Sequence, residues 1–287
     1  MKAKRYRIIM AGAAAAVLLS SCVKDDLYNT PHPDRGAVAV TLDGLSAGES
    51  ADGCSVEVGE QTFEYEEGRF VTSDPLPPGE YTLLAHNNPA GFSIAGGIAR
   101  VLPLTQTKSD NDIELIQPRP DCLWSGTQRI SVMQDDTLHL SLDMERRMRD
   151  LHIELTVTEG DPSRIVSATG TLTGIAGAFD MHGETLTGEA TATAADFAHE
   201  GDKVSADLRI LGTMGAAQTF TLVLTFVDGY VQTVESDLTT VLSTFNGGDY
   251  GQAFTVTGNL GAPVEAGVGG CTITDWTIVY GDPVEAM

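Results

Sequence analysis

Short stretches in which apolar residues alternate with polar ones, or in which β-branched residues cluster, recur along most of the chain. The most regular is Leu151-His152-Ile153-Glu154-Leu155-Thr156-Val157-Thr158, which alternates without a break. A period of two places His152 and Glu154 on the polar face of a half-buried β-strand. Glycine, proline and asparagine separate these stretches, and the pattern therefore predicts a mostly β protein.

The predicted strands fall into two groups. The first group opens at Ala37, includes the run from Glu80 to His86, and holds about seven strands, a number typical of a β-sandwich. The segment Gln117-Pro118-Arg119-Pro120-Asp121 interrupts the strands, because its two prolines remove hydrogen-bond donors from the backbone. We therefore predict an all-β fold of two β-sandwich domains in series, over residues 37–118 and 119–287.

One short helix is predicted in the second domain. Asp237 is placed to cap Leu238-Thr239-Thr240-Val241-Leu242-Ser243-Thr244-Phe245, in which the apolar residues form one stripe at helical spacing. Asn246-Gly247-Gly248 would end this helix. The first domain has no helical period, so the fold is predicted to contain at most one short helix.

The first 21 residues have the layout of a secretory signal. Four basic residues precede an uncharged run from Ile8 to Ser21, whose about 14 residues are too few to span a bilayer core that needs ~20. Leu19-Ser20-Ser21-Cys22 resembles the lipobox of bacterial lipoproteins, in which the leader is cut before the cysteine and acyl chains such as palmitate are attached there. We predict a signal peptide over residues 1–21 and lipidation of Cys22. An ordinary secretory signal and a short membrane anchor are the alternatives.

The residues after Cys22 bear on where the lipid would place the chain. Two or more acyl chains hold a protein stably on a membrane. Lys24, Asp25 and Asp26 resemble the export signal that sends Bacteroidia lipoproteins to the outer face of the outer membrane, although polarity of a linker would also explain them. Residues 22–36 contain two prolines and little to bury, and are predicted to form a tether. We therefore expect a lipid-anchored outer-membrane protein that is exposed at the cell surface.

Charge and cysteine content narrow the classes of partner. The net charge is −23, and loss of the four basic and no acidic residues of the leader changes it to −27. Such a chain repels phosphate backbones and anionic headgroups, which argues against nucleic-acid binding and against charge-driven docking on a membrane. Besides Cys22 there are Cys54, Cys122 and Cys271, so at most one intramolecular disulfide can form, and its pairing stays open.

No pattern indicates catalysis, a cofactor or a metal site, and none identifies a ligand-binding residue. The six histidines lack metal-ligand spacing, no serine lies in a nucleophile-elbow pattern, and no cysteines are paired at zinc-site spacing. Asp110-Asn111-Asp112 offers oxygen atoms to calcium but lacks the alternating ligands and closing glutamate of a calcium loop, so a turn is favoured. The protein is therefore predicted not to be an enzyme.

Two further groups have both a binding and a structural interpretation. Trp124 and Trp276 could stack on sugar rings, but in a chain with 6% aromatic residues they are favoured as anchors of a core or of a domain junction. Arg146, Arg147 and Arg149 form a small basic cluster that either balances neighbouring acidic residues or faces a partner, and the first interpretation is favoured.

Several of these pieces together resemble the FimB-type fimbrial anchor and minor-subunit lipoproteins of Bacteroidia. The resemblance spans nearly the whole chain and rests on the lipobox, the residues after it and five strand or turn segments, without a catalytic signature. Those segments are Leu76-Pro77-Pro78-Gly79-Glu80-Tyr81-Thr82-Leu83-Leu84-Ala85-His86-Asn87, Asp121-Cys122-Leu123-Trp124, Met144-Glu145-Arg146-Arg147-Met148, Phe254-Thr255-Val256-Thr257-Gly258-Asn259-Leu260 and Ile273-Thr274-Asp275-Trp276.

The resemblance implies two transthyretin-like, Greek-key β-sandwiches and a structural role. The role is that of a fimbrial anchor or minor subunit that joins a polymerised pilus to the membrane. Its protein partners would be fimbrial shaft or tip subunits, bound by β-strand addition. Related shaft subunits lose their first strand by cleavage after an arginine, whereas an anchor must keep it. Arg35 precedes the first strand here, although a solvated loop residue is the simpler interpretation.

Two questions stay open at this level. The last strand, from Cys271 to Tyr280, either joins the chain to the last shaft subunit or completes its own domain. The function also has an alternative, a surface glycan-binding lipoprotein associated with a nutrient-uptake system. Exposed and coplanar tryptophans would favour that alternative.

Overall fold

A computed structural model describes residues 34–45, 50–59, 61–108, 113–263 and 269–279 of the 287-residue chain. The predicted signal peptide, Cys22, the Lys24-Asp25-Asp26 signal and the Asp110-Asn111-Asp112 turn lie outside the described residues. In the described part, no helix is long and apolar enough to span a membrane.

The described residues form twenty β-strands. In chain order these are β1 Ala37–Asp43, β2 Cys54–Val58, β3 Gln61–Glu66, β4 Arg69–Thr72, β5 Gly79–Asn87, β6 Phe92–Ala95, β7 Ile98–Val101, β8 Pro103–Lys108, β9 Glu114–Ile116, β10 Trp124–Val132, β11 Thr137–Asp143, β12 Glu145–Arg146, β13 Arg149–Glu159, β14 Ile165–Asp180, β15 Thr185–Glu200, β16 Lys203–Ile210, β17 Thr219–Phe226, β18 Val231–Asp237, β19 Phe254–Gly261 and β20 Thr272–Val279.

The first sheet has eight strands in the order β11-β1-β4-β3-β2-β5-β10-β12. It encloses a core to which β1 contributes Val38 and Val40 and β5 contributes Leu83 and Ala85, all four without solvent exposure. Strand β1 lies inside the sheet, because it pairs in parallel with β11 and antiparallel with β4. The sequence explains this burial, since valine and alanine alternate along β1 and suit a strand that is covered on both sides.

The second sheet follows the order β18-β17-β14-β15-β16-β13-β19-β20, with β7 and β9 attached to β14 and β15. Strand β13 is the regular stretch of the sequence, and its Leu151, Ile153 and Leu155 are fully buried while His152 is half-buried beside Asp207. Alternation therefore predicted both the strand and its inner face correctly. The all-β architecture of tandem β-sandwiches is confirmed.

Strand pairing interleaves the stretches before and after residue 118. Strands β10 and β11 follow that residue yet pair in the first sheet, and β7 and β9 precede it yet pair with β14 and β15 of the second. The side chains agree, because Val101 and Ile116 are buried in the second core and Ile130 in the first. Division of the chain into domains at residue 118 stays a prediction.

The predicted helix after Asp237 is a 3₁₀ turn over Val241–Thr244, so an α-helix there was wrong. The Asp237 carboxylate accepts the backbone N–H of Thr239 at 2.8 Å, as a capping residue does. Leu242 and Phe245 are buried, as the apolar stripe predicted. Three β-branched threonines and the glycines at 247 and 248 leave too little helix-forming sequence to propagate further. Two more 3₁₀ turns are described, Ala51–Gly53 and Pro162–Arg164.

Candidate functional site: first strand, domain junction and free edges

The chain enters the described structure at Arg35 and Gly36, which are bound on both sides. Gly36 exchanges two backbone hydrogen bonds with Leu76, of 2.8 and 2.7 Å. The carbonyl of Arg35 accepts the N–H of Asp135 at 2.8 Å, and its guanidinium donates to the Pro75 carbonyl at 3.1 Å. Arg35 is therefore half-buried and hydrogen-bonded, and its interpretation as a solvated loop residue was wrong.

Strand β1 then runs parallel to β11 over seven matched positions, from Ala37 opposite Thr137 to Asp43 opposite Asp143. At one end the N–H of Ala37 donates to the Asp136 carbonyl at 2.9 Å, and at the other the N–H of Met144 donates to the Asp43 carbonyl at 2.8 Å. In a parallel pair the bonds alternate evenly between the strands. The first strand is therefore paired along its whole length in this chain.

A charged network connects β12 of the first sheet with β13 and β16 of the second. Asp150 accepts a hydrogen bond from Arg146 at 2.6 Å and another from Arg209 at 2.8 Å. Burial disfavours the charge of Asp150, but these two hydrogen bonds hold the pKa of its carboxyl below the ordinary value. The Nε of Arg146 also donates to the Cys122 sulfur at 3.1 Å, and burial raises the pKa of that thiol in spite of the nearby guanidinium.

Arg149 is a buried cation at the start of β13. It donates to the carbonyls of Phe245 and Gly247 at 3.0 Å and of Gln252 at 2.9 Å, and its guanidinium lies 4.9 Å from the centroid of the Phe254 ring. Burial lowers the pKa of Arg149. One side chain therefore holds the loop between the 3₁₀ turn and β19 against the second core.

Arg147 joins three parts of the chain. It donates to the Ser125 hydroxyl at 2.9 Å and to Glu145 at 2.8 Å, and it also contacts Glu184 at the tip of the β14–β15 hairpin. Arg146 and Arg147 of the predicted basic cluster thus pair with the neighbouring Asp150 and Glu145, as favoured from the sequence, whereas Arg149 binds backbone carbonyls. Glu184, Arg209 and the carbonyls bound by Arg149 were not foreseen, because they lie far along the chain.

The β14–β15 hairpin extends onto the first sheet. Its tip residue His182 lines one shallow pocket together with Thr82 of β5 and Arg129 of β10. Leu84 of β5 is buried in the second core, although its neighbours in the strand belong to the first. The two sandwiches are therefore in contact through side chains at this hairpin and at Leu84, in addition to the chain that connects them.

Neither tryptophan is an exposed platform. Trp124 is buried in the first core, and its indole N–H is a buried donor for which the described residues provide no partner. It borders a cleft of about 540 Å³ that Asp121, Arg146 and Arg209 also line. Trp276 is half-buried on the second core, donates to the Ser236 hydroxyl at 2.6 Å and meets the Phe220 ring edge-on at 5.9 Å. Both act as core or junction anchors, the favoured interpretation.

The last described strand completes the second sheet. Strand β20 pairs antiparallel with β19, and Ile273, Trp276 and Ile278 pack against the second core. Its other edge carries no described strand, but a register shift opposite Thr257 and Asn259 and the positive φ of Asp275 (55°) make this edge irregular. Burial raises the pKa of the Cys271 thiol before the strand to about 11. The sequence left open whether this strand joins the chain to a shaft subunit or completes its own domain. Residues 272–279 complete their own domain.

Strand β18 is the regular free edge of the second sheet. It pairs with β17 through seven consecutive positions without a register shift, and no described strand lies on its other side. The N–H of Phe226 donates to Tyr230 and that of Leu238 donates to Gln218. Because antiparallel bonds alternate along a strand, the N–H groups of Val231, Thr233 and Glu235 point away from β17. No group of three or more metal-ligating side chains is found in the part of the chain that the structure describes.

Solved structures of low sequence identity share this fold. A candidate adhesin from Bacteroides ovatus is 15% identical, with a TM-score of 0.58 over 77% of this chain and 87% of its own. The fimbrial anchor protein Mfa2 from Porphyromonas gingivalis is 14% identical, with a TM-score of 0.56 over 85% of this chain and 97% of its own. A candidate polysaccharide-binding protein from Bacteroides thetaiotaomicron is 12% identical, with a TM-score of 0.50 over 79% and 92%.

A family match goes further than the shared fold. No curated protein matches the sequence significantly. Residues 54–282, however, match the family described as fimbrillin-A associated anchor proteins Mfa1 and Mfa2, and this range includes every described strand of the two sheets except β1. It confirms the resemblance to fimbrial anchors and the prediction that the protein is not an enzyme. The chain belongs to the family of fimbrillin-A associated anchor proteins.

Proposed function

We propose that this protein is a lipid-anchored outer-membrane protein, exposed at the cell surface, that joins a fimbrium to the membrane as its anchor or as a minor subunit. Membership of the anchor-protein family over residues 54–282 carries the proposal. The leader and Cys22 provide the lipid attachment that such a role needs, and Lys24, Asp25 and Asp26 provide the signal for surface export.

The positions of the two ends of β1 suit this role. Arg35 and Gly36, which follow the tether, are bound to Asp135 and Leu76 at the start of β1. The opposite end of β1 meets Met144, where the chain passes toward the second sandwich. The tether therefore enters the first sandwich at the end remote from the junction, and the second sandwich is presented away from the membrane.

A fimbrial subunit would bind by adding a strand to β18. Unpaired backbone groups on a straight edge are a template for another strand, and bulges reduce that tendency. Strand β18 is regular and turns the N–H groups of Val231, Thr233 and Glu235 outward, whereas the edge of β20 is interrupted near Asp275. We therefore favour β18 over the last strand as the docking edge for the shaft or tip subunit.

The glycan-binding alternative lacks the feature that would favour it. Trp124 is buried in the first core and Trp276 packs on the second, so the two rings do not form one exposed surface. The indole N–H of Trp276 is already bound to Ser236. Burial of both rings leaves no aromatic platform for a sugar at either tryptophan.

Replacement of the lipid-bearing sulfur tests the proposal. The Cys22→Ser variant, expressed in the native bacterium, should take up no labelled palmitate, should leave the membrane fraction and should release fimbriae into the medium. Cys271→Ser is the matched control, since it makes the same change at a half-buried cysteine and should stay membrane-bound. Retention of Cys22→Ser in the membrane with its fimbriae would contradict the proposal.

A further inference from the structure

We infer that the parallel pairing of β1 with β11 is a mechanical clamp that resists force applied to the amino-terminal tether. The direction of that force rests on the proposed function, because a surface anchor is pulled between its lipid and its filament. The resistance itself follows from strand pairing and would hold for tension between residue 34 and Asp143, whatever its source.

The direction of the two strands sets how their hydrogen bonds are loaded. The tether pulls on the start of β1, near Ala37, whereas the chain leaves β11 at Asp143 and continues into the second sandwich. In a parallel pair the start of one strand and the end of the other lie at opposite ends. Tension between these two points therefore shears the pair along its length, and all the bonds between the strands bear it together.

The bonds that share this tension form an unbroken series. They extend from the Ala37 N–H on Asp136 to the Met144 N–H on Asp43, and seven positions are matched between them. Even alternation places the N–H groups of Leu138, Leu140 and Leu142 on the β1 side. Several hydrogen bonds must then break in one step rather than in succession.

Further contacts hold β1 in place beyond the parallel pair. Gly36 is bonded to Leu76 through both backbone groups, and β4 pairs with β1 on its other side at Ala39 and Val40. Val38 and Val40 have no solvent exposure. Sliding of β1 would expose these valines and break contacts on both sides at once, so the strand cannot peel away as an edge strand would.

Single-molecule pulling in two geometries tests the clamp directly. The chain from residue 22 carries Cys22→Ser, and handles are attached through a reactive unnatural amino acid at exposed positions. Handles at Asp34 and Asp143 shear the pair. Handles at Asp34 and Asp136 pull two adjacent strand starts apart, so the bonds open one after another. We expect a several-fold higher unfolding force in the first geometry. Equal forces, or a lower force in shear, would overturn the inference.

A pair of proline variants adds a second measurement. Leu140→Pro removes an N–H that faces β1, whereas His139→Pro removes one on the open edge of β11. The first should lower the shear force while the second leaves it near that of the parent protein, and equal effects would contradict the clamp. Both readouts use unlipidated protein. Suppose that the purified protein shows a high shear force but that the protein in cells carries no lipid. That pair of results would refute the proposed function and would still support the clamp.

Discussion

The guanidinium carbon of Arg149 lies 4.9 Å from the centroid of the Phe254 ring, so that a buried cation stacks on the first residue of β19. The same group donates to three backbone carbonyls of residues 245–252. A contact made by one side chain near the junction therefore orders a loop about one hundred residues away in sequence.

Replacement of Arg149 should destabilise the whole fold. In Arg149→Ala the carbonyls of Phe245, Gly247 and Gln252 lose a charged donor inside the protein, and we expect a loss of about 3 kcal/mol in the free energy of unfolding. Arg149→Lys keeps the charge but not the planar fork, and should lose less. Urea denaturation followed by circular dichroism measures both. An unchanged midpoint in Arg149→Ala would contradict this role.

Acid should weaken the junction through Asp150. Its pKa in the folded protein is held below the ordinary value by Arg146 and Arg209, so the unfolded chain takes up the proton first as the pH falls. The stabilisation is complete above the unfolded pKa of about 3.9 and is lost as the pH falls through the folded pKa.

The matched variant for this prediction is Asp150→Asn. It should be less stable than the parent protein at pH 7, and the difference in the free energy of unfolding should shrink at pH 2 to 3. Denaturation curves at several pH values measure it. A difference that stays constant with pH would show that the charge of Asp150 does not contribute.

The peptide bond after Arg35 should resist trypsin in the folded protein, because both flanking residues are hydrogen-bonded. A Cβ atom on Gly36 would lie 2.1 Å from the Met133 carbonyl oxygen, so Gly36→Ala should displace this segment and speed cleavage there. Gly53→Ala is the control, since nothing lies within 4 Å of its added atom. Mass spectrometry of the fragments identifies the cut. Rapid cleavage of the parent protein after Arg35 would contradict the description.

Docking of a fimbrial subunit on β18 should depend on the backbone of Thr233. Thr233→Pro removes an outward N–H while leaving the bonds to β17, so it should abolish retention of fimbriae without unfolding the domain. Thr233→Ala removes the side chain but keeps that N–H, and should retain fimbriae. Electron microscopy of whole cells and a pull-down of fimbrial protein compare the two. Normal retention by Thr233→Pro would exclude this edge.

Surface export should be separable from lipidation. Replacement of Lys24, Asp25 and Asp26 by alanine leaves Cys22 in place, so the variant should still take up palmitate but should become protected from protease added to whole cells. Alanine at Glu64 and Glu66, two exposed acidic residues of β3, is the control. A triple variant that stays accessible to protease would show that these residues do not direct export.

Sequence pattern predicted the strands better than their partners. The alternation around Leu151 and Ile153 predicted both β13 and its inner face, because a period of two is a local property of the chain. The pairing of β1 with β11 could not be predicted, since the two are about one hundred residues apart and parallel pairing depends on packing of the whole domain. Local signals also predicted an α-helix at 238–245, where the structure has a shorter 3₁₀ turn.

The candidate site was foreseen in part. Lipidation at Cys22 and the signal after it rest on local motifs and stay predictions. Arg146 and Arg147 were correctly interpreted as balanced by neighbouring acidic residues, but the contact of Arg147 with Glu184 and the contacts of Arg149 with residues 245–252 depend on tertiary approach. The free edge at β18 was not predicted for the same reason, because a strand becomes an edge only through the order of its sheet.

Interleaving of the strands sets the order in which the chain can fold. If the protein emerges amino end first from an export channel, as its leader predicts, β1 appears long before Asp143, the last residue of its parallel neighbour. The valine-rich segment at 37–42 is therefore without its partner while about one hundred residues follow it through the channel. The first sandwich cannot be completed until β11 has emerged, and until then this apolar segment lacks its parallel neighbour and is open to aggregation.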